Sequence, residues 1–196
     1  MTPFDFYFDY RSPYSYLAFT QFRTLAGRAR FKPFDIVDVM QRTGNVPTSV
    51  VCAAKNRYVR TDLLRWATHY QVRLVRHARA AHIDTRRLLR ATLAAGLERE
   101  QGSAIAAEAL FNAFWRDNTA LEGVEDVAAV LAAAGLDGHA LEGLMDDPAT
   151  DSDLNTRSAE AAELGVFGAP SFVVGAAMYF GNDRLDFLRQ HLASKP

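Results

Sequence analysis

The N-terminal segment constrains this chain more than any other. Phe4, Phe6, Phe8 and Tyr10 set aromatic side chains at every second position, the period of a strand that turns one face to a core. Arg11-Ser12-Pro13 follows at once. Serine is a favoured helix N-cap, and proline suits the first helical turn, where the N–H it lacks would have no intrahelical partner. Tyr14, Leu17, Ala18, Phe22 and Leu25 then recur at helical spacing, with Gly27 as the expected stop. Phe31 to Val39 reads as a second strand. Strand, helix and strand in so short a span predict a βαβ unit.

The middle of the chain reads differently. From about Arg57 to Leu164 the patterns are helical: Tyr58 to Tyr70, Arg86 to Leu97, Ser103 to Trp115, Val124 to Ala134, and Leu141 to Leu164 with a break near Pro148. Gly96, Gly102, Gly123 and Gly135 punctuate these segments. Strand character returns in Ser171 to Val174 and Met178 to Phe180, which Gly175-Ala176-Ala177 joins as a predicted hairpin. Asp183 to Leu192 predicts a last amphipathic helix. The pattern βαβ, helical block, ββα predicts an α/β fold. It is that of a thioredoxin-like domain, residues 1–42 and 165–196, split by an all-helical insertion, residues 43–164.

Composition narrows the function classes. A net charge of -1 gives no bulk electrostatic reason to expect nucleic acid or an anionic membrane as partner. The apolar runs are too short to span a bilayer, and Met1 to Asp5 shows no basic segment leading into an apolar one. The lone Cys52 cannot close an intrachain disulfide and fits a reducing compartment. The expectation is a cytoplasmic protein without nucleic-acid or membrane partners. Histidines 69, 77, 82, 139 and 191 lack metal-ligand spacing, so no metal is expected.

Four segments carry candidate chemistry. Ser12 stands between a strand end and a helix start, where free N–H groups and the helix dipole favour an anion. Ser12-Pro13-Tyr14-Ser15 has serines at both positions of a C-x-x-C spacing; a serine forms no disulfide but donates its O–H to another molecule's thiolate. From this segment by itself, capping alone is the ordinary role of such a serine. In Gly165 to Phe172, Pro170 opens a strand. A cis bond there leaves the backbone of Ala169 to pair with an extended peptide, and a trans turn is the ordinary alternative. Phe180-Gly181-Asn182-Asp183 opens the last helix, either as a cap or with an acidic group that grips an ammonium. Gly44-Asn45-Val46-Pro47 reads as a loop, and Lys55 as a point charge for a carboxylate or a solvated surface lysine. Tyr14, Phe19, Phe22 and Trp66 suit either core packing or the wall of an apolar pocket.

In that order these segments resemble the 2-hydroxychromene-2-carboxylate isomerases, which are similar to the kappa-class glutathione transferases and belong with the DsbA-like thioredoxin-fold proteins. The resemblance rests on Phe6 to Ala18, Gly44 to Pro47, Asp62 to Ala67, Gly165 to Phe172 and Gly181 to Leu185. It implies glutathione as cofactor. Ser12 would hold the thiolate, Ala169 beside Pro170 the cysteinyl backbone, and Gly181, Asn182 and Asp183, with Phe180 alongside, the γ-glutamyl end. It also implies an aromatic carboxylate substrate near Asn45, Lys55 and Asp84, and a homodimer. Asp84 stands where the family pattern has an asparagine, so Arg86, Arg87 or Lys55 would have to offset its charge for a carboxylate to bind. The implied mechanism is addition of the thiolate to a conjugated carbon, bond rotation or ring opening, and elimination that restores glutathione. A kappa-like glutathione transfer and a non-catalytic thioredoxin-like binding protein are the alternatives. A disulfide oxidoreductase is disfavoured because Cys52 lies far in sequence from Ser12.

Overall fold

The computed structural model describes residues 2–22, 25, 28–47 and 51–194; Gly27, the expected end of the first helix, lies outside them. Four strands form one mixed sheet: β1 (Phe4–Phe8), β2 (Ala29–Pro33), β3 (Ser171–Val174) and β4 (Ala177–Phe180), in the order β2-β1-β3-β4. β1 and β2 are parallel, while β3 is antiparallel to both β1 and β4. The alternation in the sequence decides which residues face which layer. Phe4, Phe6 and Phe8 point to one buried cluster with Phe22, Phe31, Phe111 and Phe172, and Tyr7 points to the other with Phe34, Val39, Ala161 and Val166. The Phe6 ring stacks on Phe172 at 5.6 Å and meets Phe22 edge-on at 4.7 Å. Such pairs add about 0.5–1.5 kcal/mol each beyond the area they bury.

Nine α-helices occur among the described residues. They are α1 (Pro13–Phe19), α2 (Ile36–Thr43), α3 (Ala53–Tyr70), α4 (Thr85–Glu98), α5 (Gly102–Asn112), α6 (Val124–Ala133), α7 (Gly138–Met145), α8 (Pro148–Glu163) and α9 (Leu185–Ser194). The alternation read as a strand through Val39 stops at Pro33. Asp35 then caps α2 by accepting from the N–H groups of Val37 and Asp38, and left-handed Gly44 ends it. Capping chemistry outweighs a short run of alternation. After α5 the chain widens into a π-helical turn over Ala113–Asp117, and the Trp115 indole N–H there donates to the carbonyl of Tyr10 at 2.8 Å. The Tyr10 hydroxyl in turn meets Thr92 at 2.6 Å, so the junction between β1 and α1 is pinned from the helical side.

A chain of ion pairs ties that junction to three other helices. The Arg11 guanidinium contacts the fully buried Asp9 at 2.6 Å and also reaches Asp35. Arg86 reaches Asp35 at 2.6 Å and Asp151 at 2.7 Å, linking α2, α4 and α8. Burial alone would raise the Asp35 carboxyl, but the charges and hydrogen bonds of Arg11 and Arg86 outweigh it and hold the group below the usual range. Asp151 is also depressed, chiefly by its hydrogen bond from Arg86.

A carboxyl with a folded pKa below its unfolded value stabilises the protein above the unfolded value, about 3.9 for aspartate, and loses that contribution as pH falls through the folded one. Urea unfolding midpoints should therefore drop as the pH is lowered from about 5. The drop should be shallower in Arg86→Met, where Asp35 and Asp151 differ less from their unfolded values. Parallel acid limbs for the two proteins would contradict this assignment.

Candidate active site

The site is built where the start of α1 meets the loop before β3. Ser12 has extended backbone angles and caps α1, its Oγ accepting the Ser15 N–H at 3.2 Å, with Pro13 in the first turn. The same hydroxyl donates to the carbonyl of Ala169 at 2.9 Å. Ala169–Pro170 is a cis peptide bond, so of the two arrangements open at this proline the chain adopts the cis one. The Ala169 carbonyl, however, is not free as expected: the Ser12 hydroxyl occupies it. The Pro170 carbonyl accepts the Gly181 N–H at 2.9 Å, which brings the hairpin's far end onto the same loop. Ser15, the other serine of the spacing, is fully buried and its hydroxyl has no partner among the described residues.

A cleft of about 360 Å³ opens beside these groups, lined by Tyr14, Tyr58, Asp62, Trp66, Ala169, Pro170 and Phe180 through Asp183. Gly181 has φ +94°, and a side chain there would strike the Asp183 carboxylate, so this corner requires glycine. Gly168 is equally constrained: a Cβ would lie 2.7 Å from the Phe180 ring. That ring packs on Phe167 at 4.6 Å and forms a half-exposed wall of the cleft. Asn182 is buried, and its carbonyl and amide both meet the Tyr70 hydroxyl. Asp183 is partly exposed and pairs with Arg184.

The structure thus gathers Ala169, Pro170, Phe180, Gly181, Asn182 and Asp183 into one cleft, with Ser12 bonded to its floor. Three other sequence candidates lie outside the lining. Asn45 donates to the Phe167 carbonyl at 2.7 Å, so it braces the loop before Pro170. Lys55 is exposed in the first turn of α3, on the face that carries Tyr58 and Asp62 three and seven residues later. Asp84 caps α4, accepting the Arg86 N–H at 3.0 Å, and pairs with Arg90. Arg86 and Arg87, the cations weighed against Asp84, are engaged with Asp35 and Asp151 and with Asp146 respectively. Of the aromatics, Tyr14 and Trp66 line the cleft, while Phe19 and Phe22 pack with Phe31 and Phe111.

Sequence reasoning missed Tyr58 and Asp62. Their signal was the spacing of Tyr58, Asp62 and Trp66 at every fourth residue, one face of α3. Asp62 accepts from the Tyr14 hydroxyl at 2.8 Å and from the Tyr58 hydroxyl at 3.1 Å, one phenol on each oxygen. Burial and then the bond to Asp62 raise the Tyr14 phenol well above its ordinary value, so it stays protonated.

Residues 4–193 match the model of the DSBA-like thioredoxin domain. A 2-hydroxychromene-2-carboxylate isomerase from Sphingobium xenophagum is 34% identical, covering 96% of each chain. A glutathione S-transferase kappa 1 from Caenorhabditis elegans is 39% identical over 75 residues, 36% of this chain and 33% of that one. A solved 2-hydroxychromene-2-carboxylate isomerase superposes with a TM-score of 0.85 and 31% identity, covering 97% of this chain and 94% of that one. No helix among the described residues is long and apolar enough to cross a membrane.

Proposed function

We infer the activity from one premise: the chain belongs to the DSBA-like thioredoxin-domain family and, within it, stands with the 2-hydroxychromene-2-carboxylate isomerases. It is a glutathione-dependent isomerase of a 2-hydroxychromene-2-carboxylate or a similar aromatic carboxylate, and the observation that carries this reading is the Ser12 hydroxyl beside the cleft, bonded at 2.9 Å to the carbonyl of the lining residue Ala169.

The donor set fits a γ-glutamyl tripeptide. A backbone beside a cis proline offers strand-like pairing to the cysteinyl residue, and the Asp183 carboxylate at the cleft rim suits an ammonium. Asn182 is held rigid by Tyr70, which keeps that end of the cleft in one shape. Bound glutathione would supply a thiolate that adds to a conjugated carbon and is released again, so that it is not consumed. Ser12 then has to turn its O–H from the Ala169 carbonyl towards that sulfur, keeping its N-cap bond to Ser15 meanwhile. A hydroxyl proton that exchanges one acceptor for another stabilises charge at little structural cost. In this reading the residues 1–42 and 165–196 provide the glutathione side, and α3 of the helical segment 43–164 provides the aromatic wall for the substrate. Asn45 braces the loop, Lys55 at the rim of α3 meets the substrate carboxylate, and Asp84 acts on the substrate only through its neighbours. The protein works in the cytoplasm as a homodimer.

The test is product analysis with the purified protein, glutathione and the hydroxychromene carboxylate. Isomer should form only with glutathione present, and free thiol should stay constant. Thiol that falls in step with turnover would instead establish the transferase reading, which the partial likeness to the kappa transferase favours.

A further inference from the structure

We propose that Tyr14 and Asp62 form a proton-transfer pair for this isomerisation, with Tyr58 as the residue that positions the carboxylate. The proposal rests on the isomerase reading above. The cleft contains no lysine, arginine or histidine in its described lining; its titratable side chains are Asp62, Asp183, Tyr14 and Tyr58. Asp183, half-exposed at the rim, is assigned above to the γ-glutamyl ammonium. Tyr14 stands two residues beyond Ser12 on α1, faces the cleft and is bonded to Asp62 at 2.8 Å. The pair therefore offers a hydrogen-bonded proton carrier on the cleft wall.

The substrate's chemistry gives such a carrier a task. A 2-hydroxychromene-2-carboxylate is a cyclic hemiketal. Opening it breaks the bond between C2 and the ring oxygen. The C2 hydroxyl loses its proton as its electron pair forms the carbonyl, and the ring oxygen leaves with the bonding pair and takes up a proton to become a phenol. One proton changes oxygen, and no oxidant or reductant is involved. Tyr14 takes the hydroxyl proton on its oxygen while passing its own to Asp62. It then returns a proton to the ring oxygen as Asp62 gives its proton back. The phenol stays neutral throughout, and the carboxylate stores the charge change. Tyr58, four residues before Asp62 on α3, fixes the second carboxylate oxygen at 3.1 Å, so that the first faces Tyr14.

Tyr14→Phe and Asp62→Asn preserve shape and test this directly. Each should lower kcat by about a hundredfold, the lower range for general acid–base catalysis, with KM changed less than threefold. The double variant should fall little further, because the two groups act as a unit. The solvent deuterium isotope effect on kcat should change in both single variants. Glutathione affinity, measured by calorimetry without substrate, should stay within twofold of wild type. Wild-type kcat in Tyr14→Phe would overturn the proposal while leaving the isomerase reading intact. A glutathione affinity at least tenfold weaker in Asp62→Asn, with kcat retained at saturation, would overturn it differently, by making the carboxylate a glutathione ligand. Absence of isomerisation by the wild-type protein despite glutathione binding would remove both readings together.

Discussion

Ser12→Ala should fold, bind glutathione and lose about a hundredfold or more in turnover, the range measured when one donor to a developing charge is removed. The hydroxyl is bonded to Ala169 at the edge of the cleft, whose described lining offers no O–H except the phenols already bonded to Asp62. Stability should fall too, by about 2 kcal/mol: the N-cap bond to Ser15 accounts for about half, and loss of the donor to the Ala169 carbonyl for the rest. Ser15→Ala provides the contrast. Its hydroxyl is buried without a described partner, so removing it should leave stability unchanged or raise it by about 1 kcal/mol. Turnover should stay within a few fold of wild type. Steady-state kinetics with thermal unfolding separates the two effects; near wild-type turnover in Ser12→Ala would sink the thiolate-donor role.

Arg11→Met should cost about 3 kcal/mol of stability, the lower end of the range for removing one partner of a buried charge cluster. The guanidinium lies against Asp9, which is fully buried, and Asp35, which is nearly so. Asp9 keeps the N–H groups of Arg11 and Ile36 after the substitution, and Asp35 keeps Arg86. Neither set replaces the lost cation. At about 2–4 °C per kcal/mol for a chain of this size, the unfolding temperature should drop by roughly 6–12 °C. Arg30→Met removes a pair of similar length with Asp5 but on the exposed surface, and should cost less than about 1 kcal/mol. Equal losses in the two variants would show that water reaches Asp9 and Asp35 as easily as it reaches Asp5.

Both predictions concern the same few residues, and this reflects how the site is supported. Arg11 is adjacent to Ser12, and its side chain turns away from the cleft into the ion-pair chain that runs through Asp35 and Arg86 to Asp151. The position of the hydroxyl is therefore set from beneath by charge pairing and from the side by Trp115 and Thr92 acting on Tyr10. A catalytic group held by packed neighbours keeps its geometry better than one on a free loop.

The amino-acid sequence alone determined the elements that depend on local chemistry. The aromatic alternation from Phe4 set β1 and its two faces. The Ser12-Pro13 start of α1, separate helical segments between about Arg57 and Leu164, the hairpin at Gly175 and a final helix, begun by a 3-10 turn at Asn182–Arg184 and α-helical from Leu185, all appear. Asp35 shows the limit of that reading: its cap on α2 was visible as a residue type, but the alternation around it pointed to a strand. Tertiary structure alone decided the rest. Asp62 meets Tyr14 across 48 residues, Ser12 meets Ala169 across 157, and Arg86 meets Asp35 across 51. Contacts of that reach leave no period in the chain, because they depend on where two separately formed elements come to rest and not on the backbone's own hydrogen bonds.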